Sequence, residues 1–200
     1  MKKLELTKEN LIAVHTSLVL IEDMARVSKV EKLDEDDTNT YVTFKDIQFH
    51  NGIIEVDVCG KLLDNAPAHA RGFIGIVFRV NNQDNEFESF YIRPANGRDC
   101  NDPVRRKHAC QYFSYPGYTF SYFREYGINQ YENSVSTIAL NEWSHIRAEI
   151  EDTTGKFYVS DVLVLTVTDL KHGNGKGKIG FYVDIGTDGF FKNLEVTCLD

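Results

Sequence analysis

The side chains best suited to chemistry lie in two neighbouring stretches, residues 73–80 and 87–93. Both alternate, and alternation in an extended chain sorts side chains onto two faces. Ile74, Ile76, Phe78 and Val80 fall on one face of the first stretch, and Phe90 and Ile92 match them on the second. Phe73, Gly75, Val77 and Arg79 fall on the other face, matched by Ser89, Tyr91 and Arg93. The polar segment 81–86 between them predicts an antiparallel hairpin. Arg79, Tyr91 and Arg93 would then stand together over the small Gly75. Such a surface can hold a neutral polyol: aromatic rings pack on the C–H faces of sugars, and guanidinium forks donate to paired hydroxyls. The alternative is a solvated face whose arginines pair with Glu86 or Glu88.

Acids offer a second chemistry. Glu55 and Asp57 lie two apart, hence on one strand face and roughly 6–7 Å from each other. Such a pair could supply acid and base for glycoside cleavage, or could simply decorate a solvated outer strand. Glu88, Glu125 and Glu86 are the other candidate catalytic acids, with Arg79 and Arg93 set to stabilise a developing oxyanion. The interval 94–141 is irregular and rich in Tyr, Phe, Arg, Asn and Gly, and an interval of that length is functional or conceals strands. Strands are expected near 111–113 and 120–124 with loops at one rim, and Gln111 and Tyr112 join Arg79, Tyr91 and Arg93 as ligand-binding candidates. Trp143 opens an alternating segment and suits core or rim packing better than a ligand platform.

Other chemistries find little support. No Gly-x-Ser-x-Gly is present, His108 and His145 adjoin no nucleophile motif, and the glycines of 173–177 precede no helical segment. Cys59, Cys100, Cys110 and Cys198 are expected as free thiols; Cys100 and Cys110 would close a loop disulfide in an exported protein. With His108 they hint at a metal site, but there is no Cys-x-x-Cys and no obvious fourth ligand, so no metal and no cofactor are expected. The acidic run 34–37 reads as a solvated turn, with a calcium loop as the alternative.

The elements that must position these groups are strands. The chain has 200 residues, 42% hydrophobic and 26% charged, which suits one globular domain over 1–200 and excludes a disordered chain. Strand patterns occur at 13–21, 41–44, 52–58, 73–80, 87–93, 144–150, 156–159, 162–167, 178–183 and 190–197. Helical stripes are lacking, residues 7–11 being the best short candidate. The composition therefore points to an all-β sandwich or barrel. A net charge of -8 disfavours nucleic acid as a partner and leaves neutral ligands open. No apolar run approaches the roughly 20 residues of a membrane span, so no membrane is expected. Met1-Lys2-Lys3 is followed by charged residues rather than an apolar stretch, so no signal peptide is read and a cytoplasmic location is the default expectation.

Three blocks carry a resemblance. They are Phe49-His50-Asn51-Gly52 running into 53–58, Gly72-Phe73-Ile74-Gly75 running into 76–79, and 87–94 ending Tyr91-Ile92-Arg93-Pro94. Trp143-Ser144-His145-Ile146-Arg147, Gly177-Lys178-Ile179-Gly180-Phe181 and the closing 186–196 add to it. Together they resemble the concanavalin A-like lectin/glucanase superfamily, nearest to laminin G-like domains and the bacterial 3-keto-disaccharide hydrolase type. The resemblance implies a jelly-roll β-sandwich of two antiparallel sheets, one concave, with carbohydrate held across the concave face or at its rim. Laminarinase-type members carry Glu-x-Asp-x-x-Glu, whereas Glu55 and Asp57 here precede Cys59, Gly60 and Lys61, so that mechanism does not carry over. Legume-lectin metal ligands do not map either. The expectation is a lectin-like protein recognising a neutral glycan. A hydrolase or lyase acting on (3-keto-)disaccharides and a laminin G-like protein-interaction module are the alternatives, and oligomeric state is not indicated.

Overall fold

The structure is a computed structural model that describes residues 1–30, 35–173 and 175–199. The strands are β1 (Lys2–Lys3), β2 (Leu11–Val14), β3 (Thr16–Ile21), β4 (Met24–Lys29), β5 (Tyr41–Phe44), β6 (Asn51–Leu62), β7 (Ile74–Val80) and β8 (Phe87–Ile92). After the short helix α1 (Pro103–Arg106) come β9 (Cys110–Tyr115), helix α2 (Phe120–Glu125) and β10 (Glu132–Asn133). The chain closes with β11 (Trp143–Glu151), β12 (Thr154–Val159), β13 (Val162–Val167), β14 (Lys178–Val183) and β15 (Thr187–Leu199). One sheet runs β13-β12-β11-β6-β15-β4-β3 with β1 added beside β15; the other runs β10-β9-β8-β7-β14-β5-β2. The described ladders are antiparallel, and the two sheets form a jelly-roll sandwich.

Alternation sets which face turns inward. Ile54, Val56 and Val58 of β6 and Ile146, Ala148 and Ile150 of β11 are buried, while Glu55, Asp57, His145 and Arg147 between them face out. Across the sandwich Phe90 stacks on Phe157 at 4.5 Å and Phe181 on Phe191 at 4.5 Å. The row Ile76, Phe90, Tyr112 and Phe181 is therefore the inner face of the seven-stranded sheet. Burial of each such ring contributes about 1.5–3 kcal/mol. The next row, Gly75, Tyr91, Gln111, Tyr182 and Tyr41, faces the other way. Gly75 fits there because a Cβ would lie 2.1 Å from the Phe90 carbonyl oxygen.

Several elements depart from the sequence reading. The stretch 13–21 is two strands, not one: His15 sits at φ 47° and sends β2 and β3 into different sheets. β4 was not foreseen, because its Arg26, Ser28 and Lys29 hide the alternation that a hairpin turn at Glu22 and Asp23 makes possible. Residues 120–124 are helical, not a strand; Tyr118, Tyr122 and Tyr126 recur every four residues, and Phe123 is buried against Tyr131 at 4.9 Å. Residues 7–11 form a turn leading into β2 rather than a helix. Gln111 and Phe113 do lie on a strand, β9.

The most consequential departure is Arg79. The β7–β14 register shifts between Lys178 and Gly180, and Arg79 takes φ 52°, so its side chain leaves the face of Tyr91 and Arg93. It turns into the end of the sandwich and donates to the carbonyls of His50 (3.0 Å), Asp152 (2.7 Å) and His172 (3.2 Å). Its charge is matched by Glu88 at 3.2 Å, and both side chains are fully buried. Glu88 also accepts from the Tyr112 hydroxyl at 2.7 Å and the His172 N–H at 3.2 Å. Removing one partner of a buried ion pair strands the other charge away from water. Glu88→Ala is therefore expected to cost about 3–5 kcal/mol in urea unfolding, whereas Glu55→Ala, on the solvated outer face, should cost no more than about 1 kcal/mol. Equal costs would show that the Arg79 charge is compensated elsewhere.

Candidate functional site

Tyr91 and Gln111 stand side by side on the outer face of the seven-stranded sheet, and Arg93 follows just past the end of β8. The Arg93 guanidinium donates to the Tyr91 hydroxyl (2.9 Å), the His108 carbonyl (3.0 Å), the Glu132 carboxylate (3.1 Å) and the Gln111 side-chain oxygen. The rings of Tyr91, Phe120 and Phe73 lie 5.1, 5.6 and 6.0 Å from it. Glu132 also meets Arg124 at 2.8 Å and His108 at 2.8 Å. Burial works against the Arg93 charge, but Tyr91, Glu132 and Asp37 hold it above the usual guanidinium range. Burial pushes the Tyr91 phenol well up, so it stays protonated.

A roof covers most of this face. Asp37 is 1% exposed, so the acidic run is not a solvated turn; Asp34 lies outside the described residues. The Asp37 N–H donates to Asp184 at 2.8 Å, and its carboxyl accepts from Gln111 Nε2 at 3.1 Å and the Phe120 N–H at 2.5 Å. What stays open is a cavity of about 230 Å³ at one end of the sheet. Phe73, Tyr91, Arg93 and Asn96 line its floor; His69, Arg71, Arg105, His108, Phe120 and Arg124 line the rest, with Asp36 and Asp184. Asp184 is saturated by Lys29 (2.7 Å), the Ile185 and Asp37 N–H groups (2.8 Å each) and Tyr182 (2.9 Å). Asp36 Oδ1 and Asn96 Oδ1 are buried without a hydrogen-bond partner among the described residues. Burial, then Asp184, raise the Asp36 carboxyl above the usual range.

The expected site residues thus divide. Tyr91, Arg93 and Gln111 come together beneath the cavity, whereas Arg79 and Tyr112 belong with Glu88 to the inner, dry side of the sheet. Glu125 is exposed on α2 and does not line the cavity, so Glu88 and Glu125 are not brought together. Glu55 and Asp57 sit on the outer face of the other sheet, paired with Arg147 at 3.3 Å and His145 at 2.8 Å. Burial opposes the Asp57 charge, but hydrogen bonds from Asn193 and His145 outweigh it and hold the carboxyl below its usual range. Trp143 is 43% exposed on that face under Lys192, not in the core. The rim residues Arg71, Arg105 and Arg124 were missed; the run Arg105-Arg106-Lys107-His108 was their one local signal.

The four cysteines are free thiols; Cys110 is buried, which pushes its thiol up to about 12. Among the described residues, no group of three or more His, Cys, Asp or Glu side chains could hold a metal ion. No helix among them is long and apolar enough to cross a membrane.

No protein-family model matches the chain, and no curated protein matches its sequence. Its shape does have relatives among solved structures. The carbohydrate-binding module CBM66 from Bacillus subtilis superposes with a TM-score of 0.62 over 94% of each chain, at 14% identity. A "putative glycosyl hydrolase" from Parabacteroides distasonis gives 0.58 over 100% of each chain, at 12% identity. A Bacillus subtilis protein of unknown function with a galectin-like fold gives 0.55 over 93% of this chain and 87% of that one, at 12% identity. What is shared is the fold, a jelly-roll β-sandwich like the galectin-like one.

The roof has a titration of its own. Burial, then Asp184, push the Asp37 carboxyl up to about 7. The unfolded chain releases that proton near 3.8, so the folded state binds it more tightly in between. Stability from this group is complete below pH ~4 and is lost as the pH rises through about 7. Asp37→Asn removes the titration while retaining an acceptor for Gln111 and Phe120. The variant should gain on the parent protein between pH 4 and pH 8, by at most about 4 kcal/mol in urea melts. A difference that does not change with pH would place the Asp37 titration outside that range.

Proposed function

We propose that the chain is a saccharide-binding protein and that the cavity over Arg93 receives one sugar ring. The observation that carries this reading is the pairing, in one small cavity, of aromatic walls with unused hydrogen-bonding atoms. Phe73, Tyr91 and Phe120 offer ring surface, while Asp36 Oδ1 and Asn96 Oδ1 have no hydrogen-bond partner among the described residues. A polyol needs both: C–H faces stack on rings, and hydroxyls find acceptors. The volume of about 230 Å³ falls below the roughly 300 Å³ at which pockets for drug-sized ligands begin, which suits a single ring. Support also comes from the fold, shared with a carbohydrate-binding module.

Binding outranks hydrolysis on the carboxylates. Glycoside cleavage ordinarily uses two acids flanking the bond. Asp184 spends both oxygens on the protein, which leaves Asp36, among the described residues, as the acid with an unused atom in the cavity.

Titrating the labelled protein with a panel of neutral and acidic mono- and oligosaccharides should perturb amide signals of residues 69–73, 93–96 and 105–120. Phe120→Ala, which keeps the backbone N–H bonded to Asp37, should weaken the best binder by about tenfold with little change in melting temperature. Absence of any saccharide binding at millimolar ligand would end this reading.

A further inference from the structure

We propose that the cavity selects an acidic saccharide: a sugar ring carrying one singly charged group, a carboxylate or a sulfate ester, held by Arg71 and Arg105. This rests on the saccharide reading above and names the class of sugar. The first observation is the charge of the lining. The chain as a whole is acidic, with 30 Asp and Glu against 22 Lys and Arg. The cavity reverses that balance, with four arginines and two histidines against two aspartates.

Pairing within the protein does not absorb this excess. Arg93 and Arg124 share Glu132. Among the described residues the carboxylate that Arg105 meets is the half-exposed Asp102, at 3.4 Å. Arg71 has no carboxylate partner among the described residues; it donates to the neutral carbonyls of Ala68 (2.8 Å) and Ala70 (2.7 Å). Burial and then its neighbours Arg105 and Arg93 disfavour the Arg71 charge, and the opposing influence of Cys100 and Asp102 does not offset them. An anion between Arg71 and Arg105 would relieve that repulsion, and a planar fork matches paired oxygens.

The second observation limits the anion to one charge. Asp36 and Asp184 line the same cavity, so a second negative charge on the ligand would meet two carboxylates. The unused Asp36 oxygen instead suits a ring hydroxyl. A phosphate monoester is disfavoured, while a uronic acid or a sulfated sugar fits.

Calorimetry on the whole chain with matched methyl glycosides tests this: galactose against galacturonic acid, glucose against glucuronic acid, and galactose 6-sulfate against galactose 6-phosphate. The acidic or sulfated sugar should bind at least about tenfold tighter than its neutral match. That preference should shrink between about 50 and about 300 mM salt. The double variant Arg71→Gln/Arg105→Gln, checked by thermal melting, should lose the preference and bind each acidic sugar within about twofold of its neutral match. The uronate and sulfate arms then identify the source of the charge. Equal binding of neutral and acidic sugars would overturn the inference and leave the saccharide reading standing. Tighter binding of the phosphate would overturn the single-charge argument. Acetate or sulfate ions binding as well as the acidic sugars, with no neutral sugar bound, would reduce the cavity to an anion site and overturn both readings.

Discussion

Asp37 ties together three parts of the chain. Its N–H reaches Asp184 after β14, and its carboxyl takes hydrogen bonds from Gln111 on β9 and from Phe120 at the start of α2. A sheet with the aromatic outer row Tyr41, Tyr91, Phe113 and Tyr182 would otherwise expose a large apolar patch to water. The tie draws the segment after residue 34 and the α2 region over that row, and all four rings become at least 98% buried. The roof stops short of the sheet's end, and the cavity is what it leaves. Keeping a carboxyl so dry is costly, which is why its proton is held to about pH 7.

Arginine is used in two opposed ways on the two sides of one sheet. Arg79, with Glu88 and Tyr112, is a closed structural knot whose donors all end on protein atoms. Arg93, with Glu132 and Gln111, is also satisfied, but it forms the floor of a cavity and props up residues that remain accessible. The rim above it comes from α1, α2 and loops, where side chains are free of the strand alternation. A rigid strand floor under a loop-built rim is a common division of labour in binding proteins.

Most of the sandwich was legible in the chain. The patterns at 41–44, 73–80, 87–93, 162–167 and 178–183 correspond to β5, β7, β8, β13 and β14; in β5, β7, β8 and β14 both faces are buried, so their mark in the chain is enrichment in β-branched and aromatic residues rather than one-sided burial. The misreadings have local physical causes. A positive φ at His15 split one apparent strand between two sheets, and a positive φ at Arg79 reversed the side that an alternating pattern had assigned to it. Non-glycine residues reach that region rarely, and nothing in a linear pattern marks where they will. In α2 the four-residue spacing of tyrosines outweighed the strand propensity of the same aromatics.

The chain by itself determined an all-β sandwich or barrel, the inward side of Ile76 and Phe90 and the shared face of Tyr91 and Arg93, since those follow from residue type and a period of two, while the two-sheet jelly roll was implied by the resemblance. Tertiary structure alone decided which charges are buried knots and which line an opening. It moved Arg79 and Glu88 into the interior, drew Asp37 from an apparently solvated run into the roof, and assembled Arg71 from a loop, Arg105 from α1 and Arg124 from α2. Those outcomes depend on bulges, loop paths and desolvation, which are properties of the packed chain and leave no periodic trace in it.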